Sequence, residues 1–263
     1  LVLIIVFMFT NGIPVMMKYG VNEFLFGTVW RPTASVPSFG LFPMILGSIY
    51  VTLGATIIGV PIGILTAIFM AEYCPKNVYK VLKPGISLMA SIPSIVYGFF
   101  ALQLVVPIVR DYIGGNGYSM LTAMLLLAIM ILPTVIELSE SAIRAVPRSY
   151  YNGSIGLGAT HERTIFNVML PAASSGVLSS IVLGIGRAIG ETMAVVLIAG
   201  NQPIIPDSLL SGVRTLTTNI VLEMSYAAGD HRQALIATGV ILFIFILIIN
   251  SVFIVIKNRE DAK

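Results

Sequence analysis

The sequence predicts an all-α polytopic membrane protein with about six transmembrane helices. Of its 263 residues, 57% are hydrophobic and only 10% are charged, where a soluble domain carries roughly 25% charged residues. The mean hydropathy is +0.96. Six apolar stretches have the length needed to cross a bilayer, allowing for a trimmed start to the first. No alternating apolar–polar pattern of about ten residues recurs, which argues against a barrel. Helices are the remaining way to satisfy backbone groups in lipid.

The spans are expected near Leu1–Met17, Phe42–Ala71, Pro84–Val109, Ser119–Ile136, Ala172–Ala199 and Gln233–Ile256. The chain opens at Leu1 without an initiator Met, and no basic region precedes its first apolar run. That run reads as a membrane helix with a trimmed start rather than as a signal peptide. Lys18–Gly40, with Trp30 and several Pro and Gly residues, reads as an ordered loop at the membrane interface. The second span contains Gly54, Gly59, Pro61 and Gly63, and the third contains Pro93 and Gly98. Membrane helices tolerate such residues, and small ones let backbones approach. Asn201–Arg232 is a second loop, in which Pro203, Pro206 and Gly212 break any long helix.

Orientation follows from the basic residues between spans. One side carries Lys76, Lys80, Lys83, Arg144, Arg148, Arg163, Lys257, Arg259 and Lys263; the other carries Lys18, Arg31, Arg110, Arg214 and Arg232. The first group is expected in the cytoplasm, which puts the start of the first span and the end of the last on the cytoplasmic side. The net charge of +3 does not point to nucleic acid, and Cys74, the only cysteine, excludes an intramolecular disulfide or a Cys-based metal site.

Within the fifth span stands Gly184-Ile-Gly-Arg-Ala-Ile-Gly-Glu-Thr-Met193. A lone Arg at mid-membrane costs about 3 kcal/mol on insertion scales, so Arg187 is expected to face a partner, a cavity or a pathway. Glu191 follows four residues later, on the same face of a continuous helix. Gly186 with Gly190, and Gly184 with Ala188, read as a close-packing seam. Thr192, Ser94, Tyr97 and Asn201 are weaker polar candidates near membrane depth or its rim.

Several apparent chemical signals fail. His161-Glu162 begins like a zinc-protease helix, but Ile165 stands where the second His belongs. His231, between Asp230 and Arg232, reads as a surface residue. Glu140 and Arg144 make an ordinary i,i+4 pair beside Glu137. There is no P-loop and no nucleophile elbow, so any ATP that powers this protein must bind another chain.

The segment 147–171 is amphipathic. Pro147 stands near its start, Ile155-Gly-Leu-Gly-Ala-Thr160 forms a turn between two short helical pieces, and Pro171 opens the next span. This is a surface on which a cytoplasmic partner can dock. It resembles the coupling motif of ABC importer permeases: Gly158 is followed after nine residues by Val168-Met-Leu-Pro171. The motif's first half departs, with Asn152-Gly-Ser154 in place of Glu-Ala-Ala, which lowers helix propensity. Gly186-Arg-Ala-Ile-Gly-Glu-Thr-Met-Ala194, Pro93-Ser-Ile-Val-Tyr-Gly-Phe99 and Gly200-Asn201 together resemble the phosphate ABC importer permeases, and the Thr192-Met-Ala194 ending favours the PstC type over the PstA type. The similarity runs from about Trp30 to Ile256.

That resemblance implies one transmembrane permease domain of the type I importer fold over 1–263, with no enzyme activity and no cofactor of its own. It implies a PstA-type paralogous permease, a PstB-type ATPase dimer carrying ATP and Mg, and a PstS-type extracytoplasmic phosphate-binding protein, in a bacterial or archaeal cytoplasmic membrane. Tyr151, Gly158, Ala159, Thr160, Leu170 and Pro171 would contact the ATPase, and Arg187, Glu191, Thr192, Ser94 and Tyr97 would line the substrate path. Phosphate has a separate physical argument. It retains protons near neutral pH and can donate a hydrogen bond to a carboxylate, whereas sulfate and molybdate cannot. Competing readings are a permease for those oxyanions, an ATP-independent anion channel or carrier, an intramembrane enzyme built on Glu191 with Thr192 or Ser179, and a signalling scaffold.

Overall fold

The computed structural model describes residues 2–261, with side chains described through residue 255. The side chains of Lys257, Arg259 and Lys263, used above for orientation, lie outside the described residues. Among the described residues, five helices are long and apolar enough to cross a membrane, and a sixth span is added if one bent pair is counted together.

In chain order, α1 is Val2–Tyr19 and α2 is the short Val21–Phe26. A two-stranded antiparallel hairpin follows, β1 Trp30–Arg31 with β2 Ser38–Phe39. Helix α3, Phe42–Tyr73, ends in a wide π turn over Phe69–Tyr73. Next come α4, Lys76–Ser91, and α5, Ser94–Ile113. This corrects the expected third span. Pro93 has no N–H to donate and holds Ile92 extended (φ −66°, ψ 128°), so the chain breaks there and the span starts ten residues later than Pro84. Helix α4 is instead amphipathic, with Lys76, Lys80, Lys83 and Ser87 at one helical phase.

Helix α6, Met120–Ala145, is longer than the apolar run alone suggested. The segment after it comprises α7, Arg148–Gly156, and α8, His161–Ala172, which meets α9, Ser174–Gly190, at a 70° bend. A short α10, Met193–Ile198, lies beyond a break at Glu191–Thr192, and α11, Leu216–Glu223, is an eight-residue helix inside the second loop. Helix α12, Gly229–Asp261, completes the chain.

Contacts divide the chain into two compact units: Leu1–Ala55, Pro93–Leu127 and Ile189–Ile248 form the first, and Thr56–Ile92, Ala128–Ala188 and Ile249–Lys263 the second. The first unit has a core of Phe24, Trp30, Phe39, Leu41 and Met44 with Leu216 and Leu235. In the second, Ile68, Ile143, Val146, Ile165 and Met169 pack together. Small residues shorten the packing distances in both. A Cβ on Gly63 would lie 2.7 Å from Val135 Cγ1 in the second unit, and one on Gly98 would lie 2.8 Å from the Ala194 backbone in the first.

Candidate functional site

Arg187 belongs to the last turn of α9, thirteen residues beyond Ser174 and so roughly 20 Å along that helix. A cation there is favoured by the free carbonyls of the helix end, by about 0.3–1 kcal/mol. That is well short of the roughly 3 kcal/mol insertion cost. Its Nη1 donates one long hydrogen bond, 3.4 Å, to Thr134 Oγ1 in the second unit. Among the described residues it makes no ion pair. The guanidinium is half-buried and largely unspent.

The continuous fifth span is corrected. Helix α9 stops at Gly190 and Thr192 has φ −126° and ψ −59°, so Arg187 and Glu191 do not share one helical face. The chain leaves the helix because Glu191 turns back onto the backbone ahead of it. Its Oε1 accepts from the amides of Thr192 (3.0 Å) and Ala194 (3.3 Å), donors that the start of α10 would otherwise leave unmet. Thr192 Oγ1 donates to the Gly190 carbonyl. Glu191 Oε2 makes no hydrogen bond among the described residues. Of the glycine seam, Gly184 lies against Val135, whereas among the described residues nothing lies within 4 Å of a Cβ placed on Gly186 or Gly190.

Ser94 and Tyr97 both lie in the first turns of α5, Ser94 half-buried and Tyr97 buried. Gly98 lets α5 pack on α10 at Ala194, so the first unit brings these two to the helix that begins just after Glu191 and Thr192. Asn201 sits in the left-handed region (φ 51°), with its Nδ2 donating to the Val196 carbonyl.

Within the second unit, the 147–171 segment forms the expected pair of short helices. Helix α7 survives Asn152-Gly153-Ser154 because its end is clasped to α8: Ser154 Oγ lies 2.8 Å from Thr164 Oγ1, and Tyr151 Oη lies 2.9 Å from His161 Nδ1. Gly158 adopts φ +88°, which a side chain would strain, and Thr160 caps α8 by accepting from the Arg163 amide. Leu157 at the turn is 92% exposed, and Tyr150 of α7 is also exposed. Ala159 is half-buried, Leu170 packs against the unit's core and Pro171 is exposed just before the bend. Arg148 Nη1, at the start of α7, bonds Glu72 Oε2 at 2.8 Å, fixing the segment to the end of α3.

Two polar clusters lie beyond these candidates. In the first unit the buried Glu223 accepts from Arg214 Nη1 (2.6 Å) and Trp30 Nε1 (2.9 Å), and His231 Nε2 lies 2.8 Å from its Oε2. His231 is therefore buried, against its reading as a surface residue. Its helical phase is shared with Ala234, Leu235 and Thr238, all buried, and that periodicity was the available signal. In the second unit Glu140 takes Arg144 as expected, and also Tyr79 and Lys83 from α4. Arg144 reaches the Met70 carbonyl in the wide turn of α3. Burial pushes the Lys83 pKa down, but its hydrogen bond to Glu140 and the nearby carboxylate charge outweigh that and raise it. The hydrogen bond to Glu140, then burial, raise Tyr79.

Residues 59–260 match the family model described as "Binding-protein-dependent transport system inner membrane component". The chain is 39% identical to "Probable ABC transporter permease protein YqgH" of Bacillus subtilis (strain 168), over 95% of this chain and 84% of that one. It is 32% identical to "Phosphate transport system permease protein PstC" of Pasteurella multocida (strain Pm70), over 92% and 81%. Against "Probable phosphate transport system permease protein PstC" of Methanocaldococcus jannaschii it is 31% identical, over 98% and 88%. Its fold is similar to a chain of the inward-facing MetNI methionine ABC transporter, with a TM-score of 0.68 at 18% identity, covering 84% of this chain and 95% of that one.

Proposed function

Because the chain belongs to the binding-protein-dependent transport system inner membrane component family, and so is a permease subunit of an ABC importer, we propose that its cargo is inorganic phosphate. In this reading it forms half of the translocation path and pairs with a PstA-type permease. A PstB-type ATPase dimer holds ATP and Mg, and a PstS-type binding protein delivers the anion outside. The start of the first span and the end of the last face the cytoplasm in this reading, which the distribution of basic residues supports. The relatives named as phosphate permeases support the choice of cargo.

The observation that carries the proposal is the unspent guanidinium of Arg187. A planar fork of donors suits phosphate oxygens. Glu191 contributes the second element. Its Oε1 is committed to backbone amides, while Oε2 has no protein donor among the described residues and can accept a proton-bearing phosphate oxygen. Thr192, Ser94 and Tyr97, in the same unit as Glu191, are the other residues assigned to the substrate path. On the cytoplasmic side, Tyr151, Gly158, Ala159, Thr160, Leu170 and Pro171 form the ATPase contact, with the exposed Leu157 turn at its tip. Binding-protein delivery outside and ATP-driven closure inside then alternate access to the anion.

The test is phosphate uptake by the assembled complex in proteoliposomes with binding protein and ATP. Arg187→Met is expected to reduce uptake to background while the complex still assembles. Near-normal uptake by that variant would remove Arg187 from the path.

A further inference from the structure

We propose that Thr217 is a positioning residue for Glu191, and that α11 serves as the rigid strut that carries it. Where α9 ends, the Glu191 carbonyl loses its place in the helical ladder. Thr217 Oγ1 donates to that carbonyl at 3.0 Å, from a side chain that is only 7% exposed. The contact lies wholly within the first unit. It fixes the backbone at the residue whose side chain must aim Oε2.

A strut must itself be held, and α11 is held at both ends. At its start, Thr215 and Thr218 form a reciprocal capping box, and the Leu216 amide donates to Ser48 Oγ of α3 at 2.9 Å. Thr217 Oγ1 is also 3.0 Å from Thr215 Oγ1, which restricts its rotamer. At the other end stands Glu223, gripped by Arg214, Trp30 and His231. Arg214 reaches back through its Nε to the Asn201 carbonyl and through Nη1 to Asn219 Oδ1. An eight-residue helix in a loop needs such pinning, since isolated helices of that length do not persist in water.

Glu191 thus has three attachments. Two run from Oε1 to amides ahead of it, and one runs from its carbonyl to Thr217. Losing the third leaves the first two able to swing with α10. The expected consequence is a defect in anion discrimination rather than in folding. This inference rests on the proposed reading of Glu191 as the group that accepts a hydrogen bond from protonated phosphate.

The experiment uses the assembled complex with its binding protein in proteoliposomes and reads phosphate uptake in competition with sulfate. Thr217→Val keeps the shape and removes the donor. It is expected to increase inhibition by sulfate roughly fivefold, the equivalent of one neutral hydrogen bond. Thr217→Ser restores the hydroxyl, loses a methyl group and is expected to behave as wild type. A packing role predicts the reverse order, with Ser worse than Val, and that order would overturn the proposal. So would unchanged selectivity in Thr217→Val. In a Glu191→Gln background, Thr217→Val should add nothing further, and an additive effect would likewise count against it. If Thr217→Val does not assemble, Thr217→Ala, which also lacks the donor, takes its place with the same expectation. When Glu191→Gln alone leaves selectivity unchanged, the reading of Glu191 falls and this inference falls with it. When Glu191→Gln shifts selectivity and Thr217→Val does not, only the positioning role is lost.

Discussion

Two guanidiniums in this chain meet opposite fates. Arg214 is 14% exposed at its side chain and bonds a carboxylate, an amide oxygen and a backbone carbonyl at 2.6, 3.1 and 2.9 Å. Arg187 is half-buried on a membrane-spanning segment, with a single hydroxyl at 3.4 Å. The protein itself accounts for the first charge, because removing any partner would strand the others. It does not account for the second. If Arg187 serves the substrate path as proposed, saturation of hydrogen bonds rather than burial is what separates a structural from a functional charge in this molecule.

The largest expected effect tests that contrast directly. Glu223→Ala strips the carboxylate from Arg214, His231 and Trp30 together. Breaking a buried pair by removing one partner costs about 3–5 kcal/mol, so the purified complex should melt markedly lower or assemble poorly. Arg187→Met should melt at or above the wild-type temperature, because an unpaired cation costing about 3 kcal/mol has been replaced by an apolar side chain. Its uptake should nonetheless be lost. Similar losses of stability in the two variants would erase the distinction.

Glu191→Gln is expected to act next in size. It keeps an oxygen for the Thr192 and Ala194 amides but no longer offers a charged acceptor to the anion. A hydrogen bond to a charged group is worth about 1.5–3 kcal/mol, so discrimination between phosphate and sulfate should fall roughly ten- to hundredfold. Competition assays across the two anions measure this directly. An unchanged ratio would return Glu191 to a purely structural cap.

What the sequence shows and hides follows the same division. Apolar length located four of the spans, because bilayer thickness imposes it wherever a helix crosses, but it could not see the break at Pro93 that moves the third or the breaks that divide the fifth. The turn between α7 and α8 was legible through Gly158 and Thr160, whose local conformations need those residue types. The break at Glu191 was not legible, since a charged pair at i,i+4 in an apolar run fits a continuous helix equally well. Only the Gly190-Glu191-Thr192 succession hinted that a cap was being made. Arg214 and Glu223 escaped notice because their partners come from a hairpin, a loop and α12, which no local period connects. His231 was misread through its charged neighbours, although its apolar phase partners were in plain view.

A further effect is expected at the exposed turn around Leu157, on the segment proposed to contact the ATPase. Ala159→Glu places a charge beside the exposed Leu157 without disturbing the clasp of Ser154 to Thr164. The expected outcome is a complex that still inserts in the membrane but whose ATP hydrolysis no longer drives uptake. Retained coupling in this variant would move the ATPase contact elsewhere on 147–171.

The smallest effect belongs to the other saturated cluster, and its sign can be worked out. Lys83 ordinarily titrates at 10.5, and Glu140 raises it in the folded chain despite the opposing effect of burial. A raised lysine pKa contributes stability that is fully present below 10.5 and is lost as pH climbs through the folded value. Tyr79 acts in the same direction, because its raised pKa means that the neutral, donating phenol is the form the fold prefers. The melting temperature should thus fall as pH rises above about 10, and less steeply in Glu140→Gln, where both shifts lose the hydrogen bond that raises them. Because the cluster keeps its charges throughout the neutral range, any pH dependence of uptake found there must arise elsewhere, from the titrating protons of phosphate itself or from groups on the path. An alkaline loss of stability as steep in Glu140→Gln as in wild type would show that the cluster is not the cause.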